Sequence, residues 1–294
     1  MQSLKPVRGV YSAGAQYWVG DGFPVRNLFP SNPIQRELDP FLLLDYAGPA
    51  DFPPANKQRG VGEHPHRGFE TVTVVYQGQV AHRDSSGTSG IVSAGGVQWM
   101  TAGSGVVHEE MHSMAFTQAG GTFEAIQLWV NLPRRLKMTA PKHQLLDHIP
   151  EMKQDGARIR VIAGTCRVGE HIVAGPAETH TPIEMYDVTL AAGASLDLAM
   201  PARQNAALFV LRGEVKIAQE GGSVTAGVAQ LAAFTGAGVA IRVSAAVESR
   251  FLLLSGEPID EPIVSHGPFV MSTREELMQA IEDYRSGRMG HLPA

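Results

Sequence analysis

Cysteine is nearly absent from this sequence, and the one present, Cys166, excludes an internal disulfide and a zinc site built from several thiolates. No stretch approaches the roughly 18 consecutive apolar residues of a membrane-spanning helix, and residues 1–20 lack the apolar core of a secretory signal. Basic side chains are not in excess either, since 24 Lys and Arg stand against 29 Asp and Glu. A general nucleic-acid binder would need that excess to neutralise phosphates. We therefore expect a cytoplasmic protein that contacts neither membranes nor nucleic acid directly.

Common catalytic motifs are missing as well. The sequence contains no Gly-x-Ser-x-Gly elbow of a serine hydrolase, and Cys166 has no flanking signature of a nucleophile. No glycine-rich phosphate loop follows a strand-like segment and opens a helix. No repeat period supports a propeller or a lectin-like binder. Hydrolysis and nucleotide chemistry therefore have little support.

Short β-rich segments closed by Gly, Pro, Asn or Asp recur along the chain, and this pattern predicts an antiparallel, all-β fold. Glycine-rich connectors separate these segments, in place of the helices of an alternating α/β fold. The clearest segments are Thr71–Tyr76, Glu124–Val130, Ala207–Leu211, Val239–Val243 and Arg250–Leu254. The chain turns polar and broken over residues 138–155, so we expect two β units in tandem with a boundary there.

One helix is predicted, near the end of the chain. Ser272 or Thr273 begins it, with a glutamate three residues later to complete a capping box. Leu277, Ile281 and Tyr284 then follow at the i, i+4 and i+7 positions of one apolar stripe. We expect this short helix to pack against a sheet as a clasp.

Histidines are concentrated in one part of the sequence. Five of the eleven lie between residues 64 and 112, namely His64, His66, His82, His108 and His112. Neutral imidazole is the commonest nitrogen donor to transition metals, so a cluster of this kind indicates a metal site.

Two pairs of residues have the spacing that directs side chains from a strand towards one ion. Residues two apart in a strand point to the same side. His64 and His66 form one such pair, and His108 and Glu110 form the other. On neighbouring strands, the two pairs would combine three imidazoles with one carboxylate. The two remaining histidines of the cluster have no partner at this spacing and are predicted to be supporting or surface groups.

Spacing alone leaves the identity of the carboxylate open. Glu70 has the same parity as the His-x-His pair and competes with Glu110. The same parity continues in three apolar residues, Val72, Val74 and Tyr76. This pattern predicts that the face carrying the histidines continues as the apolar interior of a barrel.

Long segments of the sequence resemble the pirin family, whose members are bicupins. The segments HPHRGFET, from His64, and QWMTAGSGVVHEE, from Gln98, look like the metal-binding core of that family. LDPFLLLDY at residues 38–46, LWVNLP at 128–133 and GPFVMSTREE at 267–276 also resemble pirin signatures. The resemblance therefore extends over nearly the whole chain.

The resemblance implies two tandem cupin-type β-barrels with a short C-terminal helix. The N-terminal cupin, residues 1–140, would bind the metal, and the C-terminal cupin, residues 141–294, would be metal-free because it has no His-x-His pair. By likeness to the family motif, Glu70 would not be a ligand, and the ligand set would be His64, His66, His108 and Glu110. The resemblance favours one divalent Fe(II) ion, and this ligand set also suits Mn, Co, Ni, Cu or Zn.

Several pirins have quercetin 2,3-dioxygenase activity, so the resemblance implies an enzyme that cleaves quercetin or a related flavonol with O2 and releases carbon monoxide. Glu110 would be catalytic, accepting the proton of the flavonol 3-hydroxyl while it binds the metal. Other members of the family are regulatory proteins. The alternative is therefore a non-catalytic, redox-responsive metalloprotein that binds a protein partner.

Overall fold

The computed structural model describes residues 3–32 and 34–292, which form twenty-six strands, two α-helices and two short 3-10 helices. Strands β1–β13 are Val7–Ser12, Tyr17–Val19, Phe23–Phe29, Phe41–Phe52, Gly60–His66, Phe69–Gln77, Gln79–Asp84, Ser89–Ser93, Val97–Thr101, Val106–His112, Gly121–Asn131, Lys142–Leu146 and Glu151–Gln154. Strands β14–β26 are Ala157–Ala163, Thr165–Val168, His171–Ala174, Ile183–Leu190, Ser195–Ala199, Asn205–Arg212, Glu214–Gln219, Gly222–Gly227, Gln230–Phe234, Ala240–Ser244, Ser249–Gly256, Val264–His266 and Phe269–Met271. Helices α1 and α2 are Met114–Ala119 and Arg274–Arg285, and the 3-10 helices are Gln35–Leu38 and Arg134–Leu136. The predicted all-β fold class is confirmed, and each of the five segments predicted as strands falls on an observed strand.

Two compact units make up the described chain, and each draws on distant parts of the sequence. The first, which we call the histidine unit, contains the described residues of 15–27, 41–147 and 259–294. The second, which we call the apolar unit, contains the described residues of 1–14, 28–40 and 148–258.

The histidine unit contains a seven-stranded antiparallel sheet in the order β12-β9-β6-β11-β4-β3-β2 and a four-stranded sheet in the order β5-β10-β7-β8. Apolar side chains from both sheets share one buried cluster. Its members are Val25, Ala47, Phe52, Val75, Val80, Val92, Phe116, Phe123 and Ala125. The two sheets therefore face each other across a common interior.

The apolar unit repeats this plan with a seven-stranded sheet, β1-β22-β19-β24-β17-β14-β13, and a four-stranded sheet, β18-β23-β20-β21. Its interior is filled by buried side chains such as Val161, Leu198 and Phe251. Cys166 lies in the same core at 1% exposure. Burial, together with the nearby Glu184 carboxylate, raises the pKa of the Cys166 thiol to about 12, so the thiol stays protonated and is a poor nucleophile.

The predicted division into residues 1–140 and 141–294 differs from the observed one at both terminal segments. The first described residues belong to the apolar unit, and the last belong to the histidine unit. β1 belongs to the apolar unit because it forms an antiparallel ladder with β22. Helix α2 belongs to the histidine unit because Leu277 and Ala280 pack in one cluster with Val107 of β10. The terminal helix, which the sequence placed with the second unit, therefore packs on the first.

Helix α2 begins as predicted. The Thr273 hydroxyl oxygen accepts a hydrogen bond from the Glu276 backbone N–H at 3.2 Å, and the Glu276 carboxylate accepts one from the Thr273 N–H at 3.1 Å. This capping box satisfies two backbone donors that would otherwise lack partners at the helix start. The predicted clasp role is also supported, because the helix contacts β25 and β26.

The buried face of α2 differs from the predicted stripe at its last turn. Leu277 is buried, but Tyr284 is 36% exposed, and Asp283 is buried at 9% in its place. Asp283 accepts a hydrogen bond from the Arg67 guanidinium at 2.7 Å, so an ion pair holds this turn in position. Among the helices of the described chain, none combines the length and apolar character needed to cross a bilayer.

Truncating the clasp should destabilise the protein. We expect Leu277→Ala to lower the free energy of unfolding by about 2–4 kcal/mol, because it removes a buried side chain and leaves a cavity. Urea unfolding followed by circular dichroism measures this loss. The matched control on the same helix is Met278→Ala, which alters a side chain that is 63% exposed and should change stability by less than about 0.5 kcal/mol. Equal effects of the two substitutions would contradict the packing described here.

Candidate metal centre

The predicted histidine pairs meet because β5 and β10 are antiparallel neighbours. His108 lies directly opposite His64, and His66 lies two residues further along β5. The ring centroids are 4.2 Å apart for His64 and His108, 4.8 Å for His66 and His108, and 4.9 Å for His64 and His66. Donor nitrogens of the three rings all lie within 4.8 Å of one another. The structure therefore brings three of the four predicted ligands together.

The nitrogens of this cluster are available to an ion. His64 Nδ1 donates a hydrogen bond to the Gly62 carbonyl at 2.8 Å, which leaves its Nε2 as an acceptor. His66 Nδ1 and His108 Nε2 are buried and have no hydrogen-bond partner among the described residues. A buried polar atom without a partner costs free energy unless something else satisfies it. Converging imidazole nitrogens in this state fit a divalent transition metal.

Burial favours the neutral, metal-binding form of His66 and His108. Burial lowers the pKa of His66 well below its ordinary value, with a further contribution from neighbouring His64, while a hydrogen bond to the Pro268 carbonyl acts in the opposite direction. Burial likewise lowers the pKa of His108, and the surrounding histidines add to the effect. Neutral imidazole presents a lone pair, so these two rings can accept a cation without first releasing protons.

Glu110, the fourth predicted ligand, lies in the same cavity as His64 and His66 but is not a member of the three-residue cluster. The pairing of β5 and β10 shifts register between His108 and Glu110, which is the signature of a β-bulge beside the site. Glu110 Oε2 accepts a hydrogen bond from the Gln127 amide at 3.1 Å, and Oε1 lies 3.2 Å from the Thr73 hydroxyl. The structure thus places this carboxylate near the histidines, where side chains of the seven-stranded sheet hydrogen-bond to it.

An apolar cavity of about 390 Å³ opens beside the histidines. Its walls are largely aliphatic and aromatic, and its polar side chains include Asp45, which the sequence analysis did not single out. The Asn27 amide donates to Asp45 Oδ1 at 2.7 Å. Burial raises the pKa of Asp45, while the hydrogen bonds from Asn27 and Tyr17 oppose that rise. Pockets of this size and character bind small organic molecules.

The prediction that Val72, Val74 and Tyr76 face the barrel interior is wrong. Thr73 lines the cavity and Val75 belongs to the apolar cluster beneath it, so the odd-numbered residues of β6 face inward. The chain turns at Gly68, where φ is +87°, and β5 and β6 belong to different sheets, so a residue count does not carry across the turn. Glu70, on the other face, accepts from the Thr101 hydroxyl at 2.7 Å and lies outside both the cavity and the histidine cluster.

The other two histidines of the sequence cluster are buried but have different surroundings. His82 Nδ1 lies 3.4 Å from His108 Nδ1, so His82 contacts the three-histidine cluster without being a member of it. His112 stacks on Phe123 with centroids 4.9 Å apart, and its Nε2 donates to the Gly22 carbonyl at 3.0 Å. Neither residue is a surface group.

Comparison with known proteins agrees with this architecture. Residues 22–130 match the pirin family, and residues 185–290 match the pirin C-terminal cupin domain. The chain belongs to the pirin family. A Pseudomonas aeruginosa protein provisionally named quercetin 2,3-dioxygenase is 52% identical over 289 residues, which cover 97% of this pirin and 98% of that relative. A pirin-like protein of Caulobacter vibrioides is 41% identical, with 96% of this chain and 99% of the relative covered.

A solved structure extends the likeness to three dimensions. The crystal structure of a quercetin 2,3-dioxygenase from Acinetobacter baumannii has a TM-score of 0.91 and 44% identity, and the match covers 98% of this pirin and 99% of that chain. The predicted architecture of two cupin domains with a short C-terminal helix is thereby confirmed.

Glu70 should make the stability of this pirin depend on pH. Burial raises the pKa of Glu70 to about 7, whereas an unfolded glutamate has a pKa of about 4.3. Between these values the unfolded chain ionises while the folded chain keeps its proton. The stabilisation from the protonated group is therefore full below about pH 4 and is lost as the pH rises through about 7.

Replacing Glu70 with glutamine should remove that dependence. We expect the stability of Glu70→Gln relative to the wild type to rise by about 2 kcal/mol between pH 5 and pH 8, at roughly 1.4 kcal/mol per pKa unit. Urea unfolding at both pH values gives the difference. The exposed Glu63 provides the control, because Glu63→Gln should behave like the wild type at both. A stability difference for Glu70→Gln that is the same at pH 5 and pH 8 would contradict the raised pKa.

Proposed function

We propose that this pirin is a metal-dependent dioxygenase that cleaves quercetin or a related flavonol with O2 and releases carbon monoxide. One observation carries the proposal: donor nitrogens of three histidines converge, and two of these residues, His64 and His66, line an apolar cavity of about 390 Å³ together with Glu110. The relationship to proteins named quercetin 2,3-dioxygenase, over nearly the whole chain, supports the same reaction.

The proposed ligands are His64, His66, His108 and Glu110, and the proposed metal is Fe(II). The three imidazoles have the donor chemistry that first-row divalent metals prefer, and one carboxylate completes a mixed set with positions left for substrate. When bound, such a metal supplies Lewis acidity towards a coordinated hydroxyl and redox chemistry towards dioxygen. The assignment of iron rests on the family resemblance, so several divalent metals are tested for activity.

Glu110 is the group proposed to accept the proton of the flavonol 3-hydroxyl. Gln127 and Thr73 hold its carboxylate by hydrogen bonds of 3.1 Å and 3.2 Å, which fixes its orientation towards the cavity. In the overall reaction both atoms of O2 enter the depside product, and carbon 3 leaves with its own oxygen as carbon monoxide. The proton held by Glu110 returns to the carboxylic acid of the depside, so the protein is unchanged after one turnover.

The cavity also provides an acceptor remote from the histidines. Asp45 lies directly opposite Gln127 on β11, and Gln127 lies directly opposite Thr73 on β6. Because neighbouring strands are about 4.8 Å apart, Asp45 stands about 10 Å from Thr73 across the sheet. Its carboxylate can accept a hydrogen bond from a hydroxyl on the part of a flavonol that does not react.

Carbon monoxide release tests the reaction. The metal-free protein is loaded anaerobically with Fe(II), Mn, Co, Ni, Cu or Zn, and quercetin is then added with air. We expect carbon monoxide and depside in equal amounts with at least one metal. Glu110→Gln should keep the fold but lower the turnover at least about a hundredfold, the low end for loss of a general base. Stable metal binding without carbon monoxide from any metal would remove the enzyme proposal and favour the regulatory alternative.

The acceptor role of Asp45 gives a substrate-specific prediction. Asp45→Asn should raise KM for quercetin up to about tenfold, since a hydrogen bond is worth about 0.5–1.5 kcal/mol. The KM for 3-hydroxyflavone, which has only the reacting hydroxyl, should change less than about twofold because this substrate offers Asp45 no donor. Steady-state kinetics with both substrates decides the matter, and an equal rise for the two would show that Asp45 acts on the fold and not on recognition.

A further inference from the structure

A chain of buried side chains runs from His108 away from the cavity. His108 Nδ1 lies 3.4 Å from His82 Nδ1, and His82 Nε2 lies 3.0 Å from Asp84 Oδ2. None of the three residues is more than 3% exposed. The ring of His143 stacks on His82, with centroids 4.9 Å apart and planes inclined by 20°, and so fixes the orientation of the middle ring.

The protons along this chain have one consistent arrangement, which begins at Asp84. Asp84 Oδ1 accepts hydrogen bonds from the Ser86 N–H at 2.8 Å, the Ser86 hydroxyl at 2.6 Å and the Thr88 N–H at 3.2 Å. Three donors to one oxygen are the surroundings of a carboxylate, which accepts hydrogen bonds and donates none.

The tautomers of both histidines follow from that carboxylate. His82 Nε2 must carry the proton, because Asp84 Oδ2 has none to offer. With one N–H on the His82 ring, placed at Nε2, His82 Nδ1 is an acceptor and can only receive a proton donated by His108 Nδ1. His108 Nε2 is then left with a lone pair, and this nitrogen has no partner among the described residues.

We propose that Asp84 and His82 are positioning residues that select the Nδ1–H tautomer of His108 and thereby direct the lone pair of His108 Nε2 to the metal. The inference rests on the metal centre proposed above. The other two ligands are oriented by backbone carbonyls, those of Gly62 for His64 and of Pro268 for His66. Among the three histidines, His108 is thus the one whose tautomer depends on side chains and can be reversed by a substitution.

The tautomers can be read directly in the metal-free protein. In protein labelled with 15N-histidine, we expect His108 to carry its proton on Nδ1 and His82 on Nε2, each identified by the nitrogen chemical shifts and the one-bond coupling. Asp84→Asn keeps the shape but presents an amide N–H to His82, because its oxygen must still accept from Ser86 and Thr88. Both tautomers should then reverse. Finding His108 protonated on Nε2 in the wild type would overturn the proposal without any metal being present.

Metal affinity provides a second measurement, arranged as a double-mutant cycle. With Co(II) as the probe, Asp84→Asn should weaken binding about 10- to 100-fold, the usual effect of disturbing a residue that supports a ligand. In the His82→Ala background the same substitution should change the affinity less than about twofold. Water can take the place of the missing ring there, and water donates or accepts equally well.

Matched controls separate this role from a general effect on the turn. Ser86→Ala removes a hydrogen bond to Asp84 Oδ1 but leaves the bond between Asp84 Oδ2 and His82 in place. This variant should keep wild-type affinity and the wild-type Co(II) absorption bands. An equal loss of affinity from Asp84→Asn in both backgrounds would overturn the proposal. Failure of the wild type to bind any metal would overturn the metal centre itself, whatever the tautomers.

Discussion

The antiparallel register of β5 and β10 is the constraint on which the site depends. It places His64 opposite His108, and the two-residue spacing on β5 brings His66 to the same cluster. A slip of one residue would turn every side chain of β5 to the other face of the sheet. Gly60 permits the close approach at the start of this pairing, since a Cβ there would lie 2.2 Å from the Glu110 carbonyl oxygen. The backbone pairing of β5 and β10 thus determines which side chains can meet at the site.

The carboxylates that line the cavity accept hydrogen bonds from neighbouring side chains, whereas two histidine nitrogens near them have no such partner. Glu110, Thr73 and Gln127 satisfy one another by hydrogen bonds, and Asp45 is satisfied by Asn27. His66 Nδ1 and His108 Nε2 have no partner among the described residues. In a cavity with mainly apolar walls, such nitrogens are stabilised most by a cation. The site therefore favours a cation, because a cation supplies the partner that these nitrogens lack.

Much of this site was accessible from the sequence, because period-2 spacing survives within a single strand. His64, His66 and His108 meet as the His-x-His and His-x-Glu patterns require. The same reasoning failed from β5 to β6, because a glycine turn and a change of sheet lie between them and parity has no meaning across such a break. Asp45 was missed, although a single carboxylate inside the apolar run of residues 41–47 was a usable signal.

Other features depend on tertiary pairing that no local pattern records. His82 and Asp84 stand two apart on β7, as the proposed metal ligands do on their strands, yet His82 meets His108 only because β10 lies beside β7. The exchange of terminal segments is of the same kind, since β1 and β22 are far apart in the sequence and each looks like an ordinary strand. A short segment of sequence indicates that a strand forms. Which other strand it pairs with depends on the fold of the whole chain.

That exchange has a consequence for synthesis on the ribosome, where the chain emerges from its beginning. Most of the histidine unit is translated before the apolar unit, but residues 259–292 belong to the histidine unit as well and are made after it. The carbonyl that orients His66 belongs to Pro268 in that late stretch. A nascent chain that has already made every histidine of the cluster therefore still lacks part of the scaffold around them. The orientation of the His66 ring seen in the structure can therefore form only after residue 268 has been synthesised.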